Sequence, residues 1–329
     1  MKRFLSLIVA CIGMIASYAQ SQIATLSHNG EITTFYGAEA LKTAHNNAEA
    51  GDVITLSAGP FNSVNITKLI TIRGAGMGVK VNDTDTYSDP TIIVGDFNVT
   101  ADGNETNHFT LEGVRNDNKM TLRGTNYTQF IKCNFYDVDF QANYGSLQNC
   151  TFVHCYVSNS FDALYNTTFT GVNSYFKNAD FYGASSLFTL TNCVVEIESS
   201  LDLRYSSLKN CIIINKGSED GIYIQKDYST IYYTLWAGVG SDPFKEFGDG
   251  HYNYIQSTYD NLFVDGSFYK LTDEAKKYVG SDGKELGIYG GNLPFDPTPS
   301  NPQITKFEVA SKTTADGKLS VDIEVKQPE

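Results

Sequence analysis

Charged residues occupy alternate positions in three short stretches of this 329-residue chain. The pairs are Asp137 with Asp139, Glu196 with Glu198, and Asp202 with Arg204. Alternate residues of a β-strand point to the same face, so each pair would present its charges side by side. Paired carboxylates can hold Ca²⁺ on an acidic sugar or supply the acid and base that break a glycosidic bond. Arg204 or Lys132 would then act as the base of an elimination.

The same charges have a simpler interpretation, because outward charges keep exposed β-structure soluble. We therefore take convergence as the criterion for catalysis: the carboxylates and Arg204 must meet in one outward groove. The five histidines show no metal-ligand spacing. His154 and Cys155 are adjacent and would point to opposite sides of a strand. The sequence predicts no metal site and no cofactor, and Ca²⁺ enters only with the catalytic alternative.

A short pattern recurs five times, as FIKCNF, LQNCTF, LYNTTF, LTNCVV and LKNCII. Its Cys position is filled by Cys133, Cys150, Thr167, Cys193 and Cys211. Its Asn position is filled by Asn149, Asn166, Asn192 and Asn210. Such self-similarity marks a solenoid. The intervening runs are short, alternating and rich in β-branched and aromatic residues, so the pattern predicts an all-β parallel β-helix.

In such a fold, equivalent residues of successive turns stack about 4.8 Å apart. We expect the Cys/Thr positions to form one inward column and the Asn positions one column at a turn. Thr167 argues against a disulfide framework, and stacked parallel Cβ vectors suit an S–S bond poorly. The thiols are expected to be free and buried, with oxidation of one adjacent pair as the alternative.

The stretch LITIRGAGMGVKV places Gly74, Gly76 and Gly78 directly after a predicted strand. A nucleotide-binding loop would need a helix to begin there and present its N–H groups to phosphate. The following residues, VKVNDTDTYSDP, cannot start a helix. We predict a corner at which one turn packs tightly against the next, and no nucleotide site.

The ends of the chain differ from its middle. Residues 1–19 have the basic start and apolar run of a signal peptide, with lipidation at Cys11 as an alternative, so we expect a periplasmic, extracellular or cell-surface protein without a transmembrane segment. We assign 20–295 to the β-helix, 296–303 to a Pro-rich linker and 304–329 to a β-ribbon. Within the β-helix, 37–54 contains the predicted N-terminal capping helix, and 284–291 the predicted final strand.

The formal net charge of −13 excludes some partners. An acidic surface repels phosphate backbones, so nucleic acid is not expected to bind. An acidic polysaccharide would need a bridging cation such as Ca²⁺, whereas a neutral glycan meets no electrostatic objection.

The chain resembles exported bacterial right-handed β-helix proteins of the pectate-lyase-like fold. Three stretches carry the likeness: ALKTAHNNAEAGDVITLSAGPFNSVNITKLITIRGAG, the NCTF/NCVV/NCII signature, and GKELGIYGGNLPF. The resemblance implies the fold over roughly residues 37–295, but this architecture serves lyases, hydrolases, adhesins and binding modules alike. The N-T-D, D-D, G-H-G and R-I-K motifs of its polygalacturonase-like hydrolases do not occur in this sequence.

Aromatic residues give the remaining candidates. Tyr232, Tyr233 and Trp236 lie within five residues, and Tyr182 lies in a stretch (170–185) that looks inserted between repeats. Exposed Tyr and Trp rings can stack on sugar rings, although most aromatics would fill the interior. The sequence thus predicts an exported, non-catalytic module that binds a glycan or other cell-surface partner on its side face. The alternatives are a polysaccharide lyase or glycoside hydrolase, and a purely structural protein.

Overall fold

The computed structural model describes residues 22–81, 89–141, 147–164, 167–182, 186–198, 201–217, 222–238, 240, 242–309, 318 and 320–326. Their strands wind into a parallel β-solenoid of about nine turns, as the sequence predicts. The predicted signal peptide, Cys11 and Asn166 lie outside the described residues.

Short strands follow one another along the chain. The first strands are β1 (Ile23–His28), β2 (Glu31–Tyr36), β3 (Val53–Leu56), β4 (Gly59–Asn62), β5 (Thr71–Arg73), β6 (Thr91–Val94), β7 (Phe97–Val99), β8 (Thr110–Glu112) and β9 (Val114–Leu122). The middle strands are β10 (Gln129–Ile131), β11 (Asn134–Phe140), β12 (Leu147–Val153), β13 (Tyr156–Leu164), β14 (Thr167–Val172), β15 (Tyr175–Phe176), β16 (Ala179–Tyr182), β17 (Leu187–Thr191) and β18 (Val194–Ile197). The last strands are β19 (Leu201–Asp202), β20 (Ser207–Lys209), β21 (Ile212–Asn215), β22 (Ile222–Tyr223), β23 (Thr230–Tyr232), β24 (Leu235–Gly238), β25 (Tyr254–Gln256), β26 (Gln303–Val309) and β27 (Val321–Lys326). Among the described residues the one α-helix is α1 (Ala40–Asn47), and 3₁₀ turns span Lys245–Phe247, Asp249–His251, Ala275–Lys277 and Gly287–Tyr289.

The solenoid has three faces. Face 1 is an eleven-stranded sheet in the order β2-β1-β3-β5-β8-β10-β12-β14-β17-β20-β23. The second sheet bends where its long strands shift register, as between Phe135 and Asp137 of β11. The bend divides it into face 2, along the path from β4 to β25, and face 3, which carries β7, the second halves of β9, β11 and β13, and then β16, β19 and β22.

Stacked apolar side chains fill the interior. Phe130 and Phe152, on adjacent strands of face 1, have ring centroids 4.9 Å apart, and Phe161 and Phe176 meet at 4.6 Å. All four are completely buried. Alternation along each strand sends these rings inward and the polar residues between them outward.

A column of small side chains marks the trailing corner, where each turn leaves face 1. Its members are Cys133, Cys155, Ser174, Cys193, Cys211 and Thr234. Each follows a residue with positive φ, namely Lys132, His154, Asn173, Asn192, Asn210 or Tyr233. The predicted column is therefore correct for Cys133, Cys193 and Cys211.

The same prediction is wrong for Cys150, Thr167 and Asn149, which lie where turns enter face 1. Thr151 pairs with Gln129, so Cys150 stacks beside Thr128, whose hydroxyl donates to its Sγ at 3.1 Å. The corner that enters face 1 and the corner that leaves it both place a residue with left-handed φ before a small inward residue, as at Asn149 (φ 58°). The two corners therefore have similar local sequences. The apparent insertion at 170–185 disappears as well, because its described part forms β14, β15 and β16 of a regular turn.

The glycine stretch forms the predicted corner. The N–H of Gly74 donates to Glu112 O at 2.8 Å, and the N–H of Gly76 to Gly113 O at 2.9 Å. A Cβ on Gly74 would lie only 2.4 Å from the carbonyl oxygen of Gly113. The glycine is therefore required by close approach of two backbones.

Other segments cover the solenoid. α1 packs against β1 to β4 with Ala40, Leu41 and Ala44 buried, and so forms the predicted N-terminal cap. Residues 262–295, which we name the C-terminal cover, form a second apolar core on the outside of face 2. The cover contributes Leu262, Leu271, Ala275, Leu286, Ile288 and Phe295, and these lie over Tyr175, Val194, Ile212, Ile214, Leu235 and Ala237.

The C-terminal part of the chain corrects one prediction. The predicted final strand at 284–291 contains a 3₁₀ turn, Gly287–Tyr289, instead. The Pro-rich segment touches the solenoid, since Asn301 Nδ2 donates to Gly74 O at 2.7 Å. Beyond it, β26 and β27 pair antiparallel as a ribbon.

Candidate functional site

The first of the acidic candidates, Glu196, is buried under the C-terminal cover. The Tyr175 hydroxyl donates a hydrogen bond to its carboxylate, and Lys216 Nζ lies 2.5 Å from its Oε2. Burial, followed by the Glu196 charge, raises the pKa of Tyr175 far above its usual value. Glu198, by contrast, is exposed. The two carboxylates therefore do not share an open face.

The two candidate bases are held by other carboxylates. The Arg204 guanidinium donates two hydrogen bonds to the Asp202 carboxylate, of 2.9 and 2.6 Å, and the Asp202 side chain is fully buried. Lys132 Nζ binds Asp296 at 2.8 Å and the Thr298 carbonyl at 2.9 Å. The Arg204 pair is local, whereas the Lys132 pair joins the trailing corner of face 1 to the Pro-rich segment. Each cation is already bound to a carboxylate.

Asp137 and Asp139 lie on face 3, where carboxylates stack in register. Asp139 pairs across the strands with Asp162, and Asp162 with Asp180. Lys119 binds Asp139 at 2.7 Å. Burial, with the neighbouring carboxylates, raises the pKa of Asp162.

Asp202 of β19 also lies on face 3, three strands from Asp139, but its side chain is fully buried against Arg204. Glu196 lies on face 2. The acidic candidates therefore do not meet in one open groove and fail the convergence criterion. The described residues contain no cluster of three metal-ligating side chains.

The aromatic candidates divide in the same way. Trp236 points into the solenoid and is 1% exposed, so its prediction as a ligand-binding residue is wrong: its position on β24 is an inward one. Tyr232 is exposed and stacks on His251 with ring centroids 4.2 Å apart. Tyr233 stacks on Tyr252 at 5.0 Å. The side chain of Tyr182 lies outside the described residues.

From β5 to β23, one outward column of face 1 consists only of hydroxyl and amide side chains, and its neighbour on β3 is Val53. Strand pairing aligns Thr71, Thr110, Gln129, Thr151, Thr170, Thr189, Ser207 and Thr230. All eight are partly or fully exposed. Within the described part of the chain none of these side chains has a hydrogen-bond partner, so each is available to a ligand.

A cleft of about 370 Å³ lies over the middle of this column. Its floor is formed by Gln129, Thr151 and Thr170. Its walls are formed by Glu105, His108, Tyr127 and Asn149. The site combines hydrogen-bond donors and acceptors with one carboxylate, Glu105, and one imidazole, His108.

Local sequence explains why the floor is polar. β12 and β14 carry the outward pairs Thr151 with Val153 and Thr170 with Val172, and the residue between them points inward. The column continues to Thr230, which stands between Tyr228 and Tyr232 in the chain. Tyr228 stacks on Tyr205 at 5.1 Å, so ring pairs flank the last turns of the column.

The sequence predictions missed this floor, although a signal for it was present. In successive strands of face 1 a Thr stands two residues before Val153, Val172 and Thr191. The predicted sites were built on acidic and aromatic residues instead. The walls could not be predicted, because Glu105 and His108 reach the cleft from a loop that follows face 3 of the preceding turn.

Comparison of the chain with protein-family models, with curated proteins and with solved structures found no match. Among the described residues, no helix is both long and apolar enough to cross a bilayer. Because no relative suggests a function, we base the functional proposal on the geometry of face 1.

Proposed function

We propose that this protein is an exported, non-catalytic module that binds an uncharged polysaccharide on face 1. The observation that carries the proposal is the column of eight unpartnered hydroxyl and amide side chains, repeated once per turn. Sugar hydroxyls are both donors and acceptors, as are Thr, Ser and Gln side chains. A floor that repeats about every 4.8 Å suits a ligand that is itself a repeating polymer.

Aromatic rings and charge add support. The stacked pairs Tyr205–Tyr228 and Tyr232–His251 flank the end of the column and offer apolar faces to sugar rings. The chain is acidic, and Glu105 stands in the cleft wall, which disfavours a polyanionic ligand. The signal peptide predicted at 1–19 would bring the protein to the compartment where such glycans occur.

The lyase or hydrolase alternative lacks the support that it requires. Inverting hydrolysis needs two carboxyl groups about 6.5–9.5 Å apart across one bond. The cleft is lined by one carboxylate, Glu105, and none of the acidic candidates from the sequence lines it.

The proposal is tested by affinity electrophoresis of the full-length protein through gels that contain xylan, mannan, mixed-linkage β-glucan, starch or polygalacturonate. We expect at least one neutral polymer to retard the protein, with little dependence on salt, and polygalacturonate to have no effect. The same polymers are then incubated with the protein, with and without Ca²⁺. Release of reducing ends or unsaturated sugars would show catalysis and contradict the proposal.

A further inference from the structure

β2 forms the outer edge of face 1 at the N-terminal end of the solenoid. Among the described strands its only neighbour is β1. Edge strands are normally protected by Lys, Pro, a bulge or a covering segment. β2 reads EITTFY, contains neither Lys nor Pro, and pairs with β1 without a register shift. Five of its six residues are exposed.

The free backbone groups of this edge can be assigned. Gly37 N–H donates to Gln22 O at 2.8 Å, at the end of the antiparallel ladder that joins β1 and β2. Backbone groups alternate in direction along an antiparallel strand, so the odd-numbered residues bond to β1. The N–H and C=O groups of Ile32, Thr34 and Tyr36 therefore point to the open edge.

Those groups are self-complementary. If a second copy of β2 pairs antiparallel about Thr34, its Ile32 lies opposite Tyr36 of the first copy, and the reverse. Ile32 and Tyr36 are 72% and 68% exposed, which is unusual for large apolar side chains. Aromatic and β-branched residues stabilise each other when they are paired across strands. Glu31 falls opposite Gly37 in this register, so no like charges meet.

We infer that two copies of this protein join through β2 into a two-fold symmetric dimer with one continuous face 1 sheet. The contact is isologous, as in most homodimers, because the same strand serves both copies. The contact satisfies the backbone donors and acceptors of the edge. It also buries two symmetric pairs, in each of which Ile32 of one copy packs against Tyr36 of the other. This inference does not depend on what face 1 binds.

Light scattering coupled to size exclusion tests it on the full-length protein, with T34P as the main variant. The Thr34 N–H points to the open edge, so proline removes a donor of the dimer and none of the β1–β2 hairpin. We expect twice the 36.2 kDa chain mass for the wild type and a single chain mass for T34P, with unchanged circular dichroism. The I32K/Y36K double variant should give the same result without a backbone change.

Cysteine crosslinking locates the contact. In the dimer the two Thr34 Cα atoms lie about 5.5 Å apart, within disulfide range. T34C should form covalent dimers on mild oxidation. T25C, on the same outer face of β1 but one strand further in, should not. A wild type that is monomeric at every concentration overturns the inference. So does a dimer that T34P and I32K/Y36K leave intact, or equal crosslinking of T34C and T25C.

Discussion

The side-chain amide of Asn173 donates hydrogen bonds to the carbonyl oxygens of Ile288 and Gly290, each 2.9 Å away. Asn173 lies at the trailing corner with φ of 45°. Further along that corner, the side-chain carbonyl oxygen of Asn210 accepts the N–H of Ser281 at 2.8 Å. The asparagines of this corner therefore have two tasks: they adopt a left-handed turn, and they hold the C-terminal cover.

Substitution of Asn173 should loosen the cover. N173A removes both bonds and places Ala at positive φ. The buried carbonyl of Gly290 loses this partner, whereas Ile288 O keeps the N–H of Phe295. We expect a loss of about 2–4 kcal/mol in the free energy of unfolding. N173G keeps the backbone conformation and should lose less. Urea denaturation measures both, and limited proteolysis should cut N173A within 262–295. Equal stability of N173A and the wild type would show that the cover is held by other contacts.

The attachment of the cover should depend on pH through His154. The His154 ring is buried and stacks on Phe295 at the end of the cover, and its Nδ1 accepts the N–H of Asp296, the next residue, at 2.9 Å. Burial, followed by the charge of Lys132, lowers the pKa of His154 below 6.5. Below that pH the unfolded chain binds a proton that the folded state excludes, so this contribution to stability is present above 6.5 and is lost on acidification.

We therefore expect the denaturation midpoint to fall between about pH 7.5 and 5.5, and H154Q to fall less steeply. His45, whose pKa burial also lowers, should account for part of the remaining slope. A wild type and H154Q with parallel pH profiles would exclude His154 as the titrating group.

The described thiols should be unreactive in the folded protein. Cys133, Cys150, Cys155, Cys193 and Cys211 are free and completely buried. Burial raises the pKa of Cys150 to about 11, so its reactive thiolate is scarce near neutral pH. Ellman's reagent should react with them only after denaturation, and then with all five. Rapid reaction in the native state, or a pair that is missing after denaturation, would contradict this arrangement.

Gly74 should tolerate no side chain. G74A brings a methyl group against the Gly113 carbonyl and should cost about 3 kcal/mol or more, because two hydrogen-bonded turns must separate. Gly250 is a matched control, since its added Cβ would meet nothing within 4 Å and its φ is not positive. G250A should change stability by less than about 0.5 kcal/mol. Similar melting temperatures for the two variants would refute the close contact.

The sequence predicted the solenoid because the features that indicate this fold lie within short stretches of the chain: alternating residues, short strands and a corner pattern at each turn. The same locality misassigned Cys150 and Thr167, since two corners of one turn share a pattern that spacing alone does not separate. The C-terminal cover could not be predicted. Its apolar residues meet face 2 positions, such as Val194 and Ile212, that look like interior residues in the sequence.

The candidate site shows a similar division. The regular alternation of Thr151 with Val153 and of Thr170 with Val172 contains the floor of the cleft, and it could have been predicted. The burial of Glu196 and the pairing of Arg204 with Asp202 depend on contacts that the folded chain makes around them, so their residue types suggested chemistry that their surroundings do not permit.

The central claim is that face 1 holds an uncharged polysaccharide, and a pair of arginine variants tests it most directly. T170R fills the floor of the cleft, whereas V94R adds the same side chain at an exposed position of β6 on face 2. In gels that contain the neutral polymer that retards the wild type, V94R should be retarded equally. T170R should bind at least about tenfold more weakly, a loss of about 1.4 kcal/mol. Unchanged retardation of T170R, or no neutral polymer that retards the wild type, would contradict the account.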